Sequence, residues 1–174
     1  MVYYGDEAGM WGPSDPSDRE PMIWKDLEPY DDPHVTFKQD VFDQYQRLIA
    51  IHRKLPVLQL GFAHTVMADN GSDVFAFSRD LGNDHVLIAV NRSPDEHNVE
   101  LKFGPDGQNI GLINWLDPTE TKLTGGDDQS VDGRPEIAPI EGSRFAAVAR
   151  HGTASVTLPP WGDVILSSRD VNLN

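Results

Sequence analysis

Two acidic stretches near the start of the chain carry residue types that can do chemistry. Asp6 and Glu7 are adjacent carboxylates, while Asp15 and Arg19 stand four positions apart in the run Asp-Pro-Ser-Asp-Arg. Neighbours on an extended chain point to opposite faces, whereas a catalytic carboxylate pair must face one bond at a separation of about 5 Å. We therefore expect Asp6 and Glu7 to bond nearby backbone rather than to act as a catalytic pair.

Asp15 and Arg19 are the better candidates for ligand binding. A carboxylate and a guanidinium form a fork-shaped pair, and each also forms strong hydrogen bonds with hydroxyl groups. Two interpretations stay open: the two side chains bind a ligand, or they only bond each other and pin their loop.

The elements that must position these residues change character along the chain. Val2-Tyr3-Tyr4 is predicted to be a short strand, followed by a Pro- and Gly-rich loop to about residue 36. Apolar residues then recur every three or four positions between 38 and 54, which predicts a helix that Pro56 ends. Beyond residue 61 the pattern has a period of two, and it predicts antiparallel strands at 72–81, 84–93, 97–103, 110–116, 144–149, 153–159 and 163–168, with a polar excursion at 124–143.

The chain therefore divides into residues 1–60 and a β-sandwich of residues 61–174. One strand and one amphipathic helix cannot bury each other's apolar faces without further layers, so the first part is physically incomplete.

Composition excludes several classes of protein. The net charge of -14 repels phosphate backbones and anionic lipids, so no nucleic-acid partner is expected. No apolar run reaches the roughly 20 residues of a membrane span, and no signal peptide is visible, which makes a cytoplasmic location the default. Cysteine is absent and the six histidines show no metal-binding spacing. We expect no metal or cofactor, and we place His52 in the core.

Several motifs together resemble a known family. The runs VYYGDEAGMWG, DPSDR and PMIW are similar to the end of the catalytic (β/α)8 barrel in the α-amylase family, glycoside hydrolase family 13, particularly its neopullulanase, cyclomaltodextrinase and maltogenic amylase branch. The helix at 40–58 resembles the last barrel helix, and the hairpin at 74–93 resembles the opening of the antiparallel domain C. The expected fold is thus mainly β, with a domain C-like sandwich preceded by the last strand, loop and helix of a TIM barrel.

The resemblance implies a C-terminal segment of an α-glucan-acting hydrolase. The family's catalytic Asp, Glu and Asp lie on earlier barrel strands, so this chain is expected to be inactive alone. The corresponding loop residues of the neopullulanase branch contact glucose units, which assigns substrate binding to Asp15 and Arg19. Ser17-Asp18 departs from the family's usual Asp-Asn, and the exact substrate stays open.

Two other functions remain as alternatives. A stand-alone carbohydrate-binding module would use tryptophans: we expect Trp11 and Trp24 to anchor the loop and Trp115 and Trp161 to lie in the core, but exposed ones would stack on sugar rings. A protein-interaction module would instead associate with a partner chain, or with a second copy of itself, through the exposed stripe of the helix at 38–54.

Overall fold

The computed structural model describes residues 2–12, 14–16, 19–104, 109–124, 134, 136–140 and 147–168. Contacts divide the chain into two compact units, Met1–Ile49 and Ala50–Asn174. The boundary falls inside a helix. The division at residue 60 inferred from the sequence stays a prediction.

The first unit is mostly loop. It contains two short 3-10 helices, Asp6–Ala8 and Lys25–Leu27, and it ends with the first turns of helix α1, which spans Gln39–Lys54. The strand predicted at residues 2–4 is wrong: these residues have no strand conformation, and both tyrosines are exposed. A strand needs a neighbour that accepts its backbone hydrogen bonds, and the described residues of this unit include no such neighbour.

Helix α1 spans Gln39–Lys54 and confirms the predicted helix. Pro56 does end it, but the same residue begins a second, short helix, α2, at Pro56–Leu60, because proline suits the first turn of a helix. His52 is exposed, which corrects its placement in the core; Ile51 and Leu55 are the fully buried residues here.

The second unit is an antiparallel β domain. Its strands are β1 (Phe62–Asp69), β2 (Val74–Leu81), β3 (Asp84–Asn91), β4 (His97–Lys102), β5 (Asn109–Asn114), β6 (Thr121–Thr124), β7 (Glu136–Pro139), β8 (Ala147–Arg150), β9 (Thr153–Leu158) and β10 (Asp163–Ser168). Eight of them form one sheet in the order β1-β2-β3-β10-β5-β8-β9-β4, and β6 pairs with β7 separately. All seven predicted strands have a counterpart, although residues 144–146 of the strand predicted at 144–149 and most of the excursion predicted at 124–143 lie outside the described residues. Strands β1, β6 and β7 were not predicted, and β7 lies within 124–143.

The sheet curls over a single core. Its end strands β1 and β4 approach each other, and one face of the sheet supplies a continuous cluster of buried side chains. The cluster comprises Val74, Ala76, Leu87, Ala89, Leu101, Phe103, Leu112, Ala149, Ala154, Val156, Leu158, Val164 and Leu166. Because side chains alternate along a strand, the residues between these, such as Phe75 and Ile165, point to the outer face.

Trp115 is buried on that outer face, where only 1% of its surface is exposed. Its indole Nε1 donates a 2.8 Å hydrogen bond to the Oγ of Ser167, which is itself fully buried. Helix α2 packs against β2 and β3 elsewhere in the same unit. In the described part of the chain no helix is long and apolar enough to cross a membrane.

Replacing Trp115 by Phe should destabilise the β domain. Trp115→Phe removes the indole donor and leaves a buried hydroxyl with fewer partners, at a cost of about 1–3 kcal/mol in the free energy of unfolding. Urea denaturation followed by circular dichroism measures this cost. Trp24→Phe, at an exposed position, is the matched control, and equal stabilities of the two variants would contradict the prediction.

The hairpin turn before β2 should make stability depend on pH. The hydrogen bond from Ser72, with a second from the backbone of Gly71, lowers the pKa of Asp69 below its ordinary 3.8. A folded-state pKa below the unfolded one means that the carboxylate stabilises the fold above about pH 3.8, and that this contribution is lost as the pH falls through the folded pKa.

Asp69→Asn should therefore be less stable than the wild type at neutral pH, and the difference should shrink on acidification. Urea midpoints measured at about pH 7 and about pH 3 provide the test. Glu100→Gln on β4 controls for the loss of one negative charge. A difference that stays constant with pH would show that the turn does not depend on the ionised carboxylate.

Candidate functional site

The adjacent carboxylates Asp6 and Glu7 lie on the first 3-10 helix, and Asp6 is engaged with local backbone. Its Oδ2 accepts a 3.0 Å hydrogen bond from the amide of Tyr3. The Oε2 atom of Glu7 is buried and has no hydrogen-bond partner among the described residues. For Asp6 the predicted role, bonding the nearby backbone, is confirmed.

Glycine at position 9 permits the loop to fold back after this helix. Gly9 has a φ of 68°, and a Cβ placed on it would lie 2.5 Å from the Cγ of Lys38. The amide of Lys38 donates a 3.0 Å hydrogen bond to the carbonyl of Ala8. The start of the loop and the segment before α1 are therefore held together by backbone, with no room for a side chain between them.

Asp15 and Arg19 are brought together as an ion pair. One guanidinium nitrogen of Arg19 lies 2.7 Å from Oδ1 of Asp15, and the two side chains are 72% and 67% exposed. The Arg19 amide also donates a 3.1 Å hydrogen bond to the carbonyl of Pro16. The pair thus closes a turn, yet it is accessible to a ligand, and its role in substrate binding stays a prediction.

Two neighbouring clefts share the residues Met10, Trp11 and Glu20. The smaller has a volume of about 250 Å³ and is also lined by Tyr3, Tyr4, Gly5, Asp6 and Gly12. The larger, about 640 Å³, continues along Pro21, Met22, Ile23, Tyr30, Asp31, Asp32, His34, Val35, Thr36 and Lys38. The hydroxyl of Tyr4 donates to the carbonyl of Glu20 and so joins the two walls. The larger cleft has the size of a small-molecule site.

A third cleft of this unit, about 600 Å³, is mostly apolar. Glu7, Met22, Trp24, Phe37 and Phe42 are among its lining residues. The backbone of Trp24 is fixed by the hydroxyl of Tyr30, which accepts from the Trp24 amide at 2.6 Å and donates to its carbonyl at 2.9 Å.

The tryptophans differ from the prediction in three of four cases. Trp115 lies in the core as expected, but Trp11, Trp24 and Trp161 are 83%, 55% and 70% exposed. The first two line open clefts, which leave much of each indole in contact with solvent. Trp161 lies in the turn between β9 and β10, so the alternation of side chains along a strand does not direct its indole into the core. Residue type alone did not distinguish these positions.

The sequence also gave no signal for a polar cleft in the β domain. Asp80 on β2 contacts Nδ1 of His85 through Oδ1 at 2.6 Å, and its Oδ2 accepts a 2.8 Å hydrogen bond from Ser78. His64 approaches the same carboxylate at 3.7 Å. The cleft has a volume of about 620 Å³. Strand pairing brings these residues together: Asp80 is opposite His85, and His64 is opposite Ser78.

Within the described ranges, no group of three or more His, Asp or Glu side chains has an arrangement that would hold a metal ion. In the Asp80 cluster, hydrogen bonds join Ser78, Asp80 and His85 of strands β2 and β3, and His64 of β1 lies 3.7 Å from the carboxylate. Its members are four separate positions of the sequence whose proximity depends on register.

Comparison with known proteins places the β domain in a family. The model for "Alpha amylase, C-terminal all-beta domain" matches residues 64–169. Neopullulanase 2 of Thermoactinomyces vulgaris is 32% identical over 117 residues, which are 67% of this chain and 18% of the relative. A cyclomaltodextrinase of Geobacillus thermopakistaniensis is 29% identical over 164 residues, or 94% of this chain and 22% of the relative. The chain thus spans about a fifth of the length of these relatives.

Solved structures agree on the fold. A structure titled as an Anoxybacillus alpha-amylase superposes with a TM-score of 0.63 at 18% identity, covering 95% of this chain and 28% of that one. The resemblance inferred from the sequence motifs is confirmed, and the chain belongs to the alpha-amylase C-terminal all-beta domain family.

Proposed function

We propose that this chain is the C-terminal segment of an α-glucan-acting glycoside hydrolase of the α-amylase and neopullulanase type. The family match over residues 64–169, inside a similarity to a cyclomaltodextrinase that extends over 94% of the chain, carries the proposal. In this role the β domain caps the enzyme, and residues 1–60 complete its barrel and contribute a loop to the substrate cleft.

The loop's share of the function is recognition of sugar hydroxyls. The Asp15–Arg19 pair offers a carboxylate acceptor and several guanidinium donors in a fixed relation, and both side chains are exposed. The cleft beside Trp11 adds an apolar surface of a size that suits part of an oligosaccharide. The substrate class is inferred from the names of the relatives, which include neopullulanase and cyclomaltodextrinase.

Catalysis by this chain alone is not part of the proposal. The carboxylate of Asp6 accepts a hydrogen bond from the amide of Tyr3. The family resemblance assigns no catalytic residue to any position of this sequence. A stand-alone carbohydrate-binding module is the second candidate, and the exposure of Trp11, Trp24 and Trp161 is the observation that favours it. The two candidates share a ligand class and differ in whether hydrolysis accompanies binding in the complete protein.

The chain as given should release no reducing sugar from pullulan, starch or cyclodextrin. The expected result is a rate equal to the buffer blank, because the family resemblance assigns none of the catalytic carboxylates of a retaining glycosidase to this chain. A reducing-sugar assay checks this, with a complete cyclomaltodextrinase at the same molar concentration as the positive control. Hydrolysis by the pure chain, retained after a second purification step, would overturn the assignment.

Substitutions in the Asp15–Arg19 pair should affect sugar binding more than stability. An exposed ion pair contributes less than about 1 kcal/mol to folding, so Asp15→Asn and Arg19→Gln should hardly change the urea midpoint. Both should weaken maltoheptaose binding measured by calorimetry. Arg19→Lys should weaken it as well, because an ammonium group cannot replace the guanidinium fork.

Asp26→Asn, an exposed carboxylate of the same unit, is the matched control for these variants. Unchanged affinity in all three pair variants would mean that the pair only closes its turn. A large loss of stability would show instead that the loop depends on the pair for its folding.

A further inference from the structure

Trp161 adopts a backbone conformation that its residue type disfavours. Its φ is +54°, in the left-handed region where glycine and asparagine are usual and a bulky side chain is an outlier. The indole is 70% exposed, so burial does not compensate for this cost. A glycine at this position would form the same turn without strain, and the indole therefore needs another explanation.

The turn that carries the indole is fixed to the neighbouring loop. The amide of Trp161 donates a 3.0 Å hydrogen bond to the carbonyl of Ser93, and the amide of Asn91 donates to the carbonyl of Gly162 at 2.8 Å. The side-chain amide of Asn91 adds a 2.9 Å bond to the carbonyl of Pro159. Asn91 is only 1% exposed. An aromatic side chain on such a fixed turn loses little conformational entropy when it binds a ligand.

A second exposed aromatic side chain lies on the outer face of the sheet, in line with Asp163. Phe75 on β2 is opposite Val90 on β3, and Val90 is opposite Asp163 on β10, so the three side chains share one face. Strand spacing puts Phe75 and Asp163 about 10 Å apart. Trp161 precedes Asp163 by two residues, and Phe75 is 43% exposed.

Phe75 lies at the end of β2 that is away from the close of helix α2. Gly61, just after α2, lies against the carbonyl of Asp80, at the opposite end of β2 from Phe75. Desolvation raises the pKa of Asp163 although its side chain remains exposed, which fits a carboxylate beside apolar neighbours. Phe75 and the acceptor Asp163 thus share one face of the sheet, and Trp161 adds a second exposed aromatic surface two residues before Asp163.

The electrostatics of the surroundings select the kind of ligand. The chain carries a net charge of -14, and Asp163 stands on this face with Asp95 and Glu96 exposed on the adjoining loop. Arg92 on the same loop is also exposed, and these three carboxylates outnumber it. Anions are repelled there. A neutral ligand with an apolar face and hydroxyls at its rim satisfies both the indole and the carboxylate.

We propose that Trp161, Phe75 and Asp163 form a second glucan-binding surface on the β domain, separate from the loop of Asp15 and Arg19. Trp161 stacks on a pyranose ring, and Asp163 accepts hydrogen bonds from sugar hydroxyls. The choice of an α-glucan rests on the proposed function, whereas the place of binding rests on the geometry of the turn.

The test is a titration of the full 174-residue chain with maltoheptaose, followed by NMR of its four indole N–H signals. Each signal is assigned by a Trp→Phe substitution. The Trp161 signal should shift saturably at millimolar sugar, and it should shift equally in the double variant Asp15→Asn, Arg19→Gln. Shifts confined to Trp11 or Trp24 would overturn this inference and leave the proposed function standing.

Variants at the turn separate binding from folding. Trp161→Ala should weaken the affinity at this surface about tenfold, while Phe62→Ala, an equally exposed aromatic of the same unit, should not change it. Trp161→Gly should lose the same affinity and gain thermal stability, because it relieves the left-handed backbone. Wild-type affinity in Trp161→Gly would contradict the proposal. A comparable Trp161 shift with tetramethylammonium would also contradict it, by indicating a cation site.

Discussion

Strand β10 is the constraint on which the β domain depends, because it lies in the middle of the eight-stranded sheet and is paired along both edges. One edge of β10 is bonded to β3 and the other to β5. On the first side lie β1 and β2, and on the second lie β8, β9 and β4. Val164 and Leu166 from the same strand face the core, while Ser167 binds Trp115 on the outer face. Both layers of side chains are therefore organised by one segment of six residues.

The two units of the chain divide the physical tasks. The β domain is built on paired backbone and a continuous apolar cluster, so its surface can carry exposed aromatic residues without loss of the fold. The first unit has few regular elements, and its loop is held by single contacts such as the Lys38–Ala8 backbone bond and the Tyr4–Glu20 bond. Polar recognition groups lie on such loops because they are positioned by, but do not form, the packed scaffold.

The sequence was most informative where one face of an element is buried. Alternation in β2, β3 and β10 and the helical period of α1 follow directly from burial, and these elements were predicted. The unpredicted β1 is a sheet edge with mostly exposed residues, so alternation is weak there. Strand β7 has only four residues, too few for a period to appear.

The parts of the site that depend on the register between distant strands could not be predicted from the sequence. The spacing of Asp15 and Arg19 is local, and their pairing could be anticipated from four residues of chain. The placement of Phe75 and Asp163 on one face of the sheet, and the approach of His64 to Asp80, both require the pairing of whole strands. The exposure of Trp161 depends on a turn conformation that its residue type disfavours, and its hydrophobicity had predicted burial instead.

The position of β10 in the sheet has a consequence for how the chain is made. Among the ten strands of the described residues, β10 is synthesised last and lies in the middle of the sheet. Its partners β3 and β5 leave the ribosome earlier and stay unpaired on that side until β10 is made. Pairings between residues so distant in sequence form slowly, because the entropy of closing a long loop is lost before the stabilising hydrogen bonds form. Until then β3 and β5 each present an open edge that can pair with another nascent chain. Translation rate and chaperone supply should therefore govern the yield of this domain more than its final stability does.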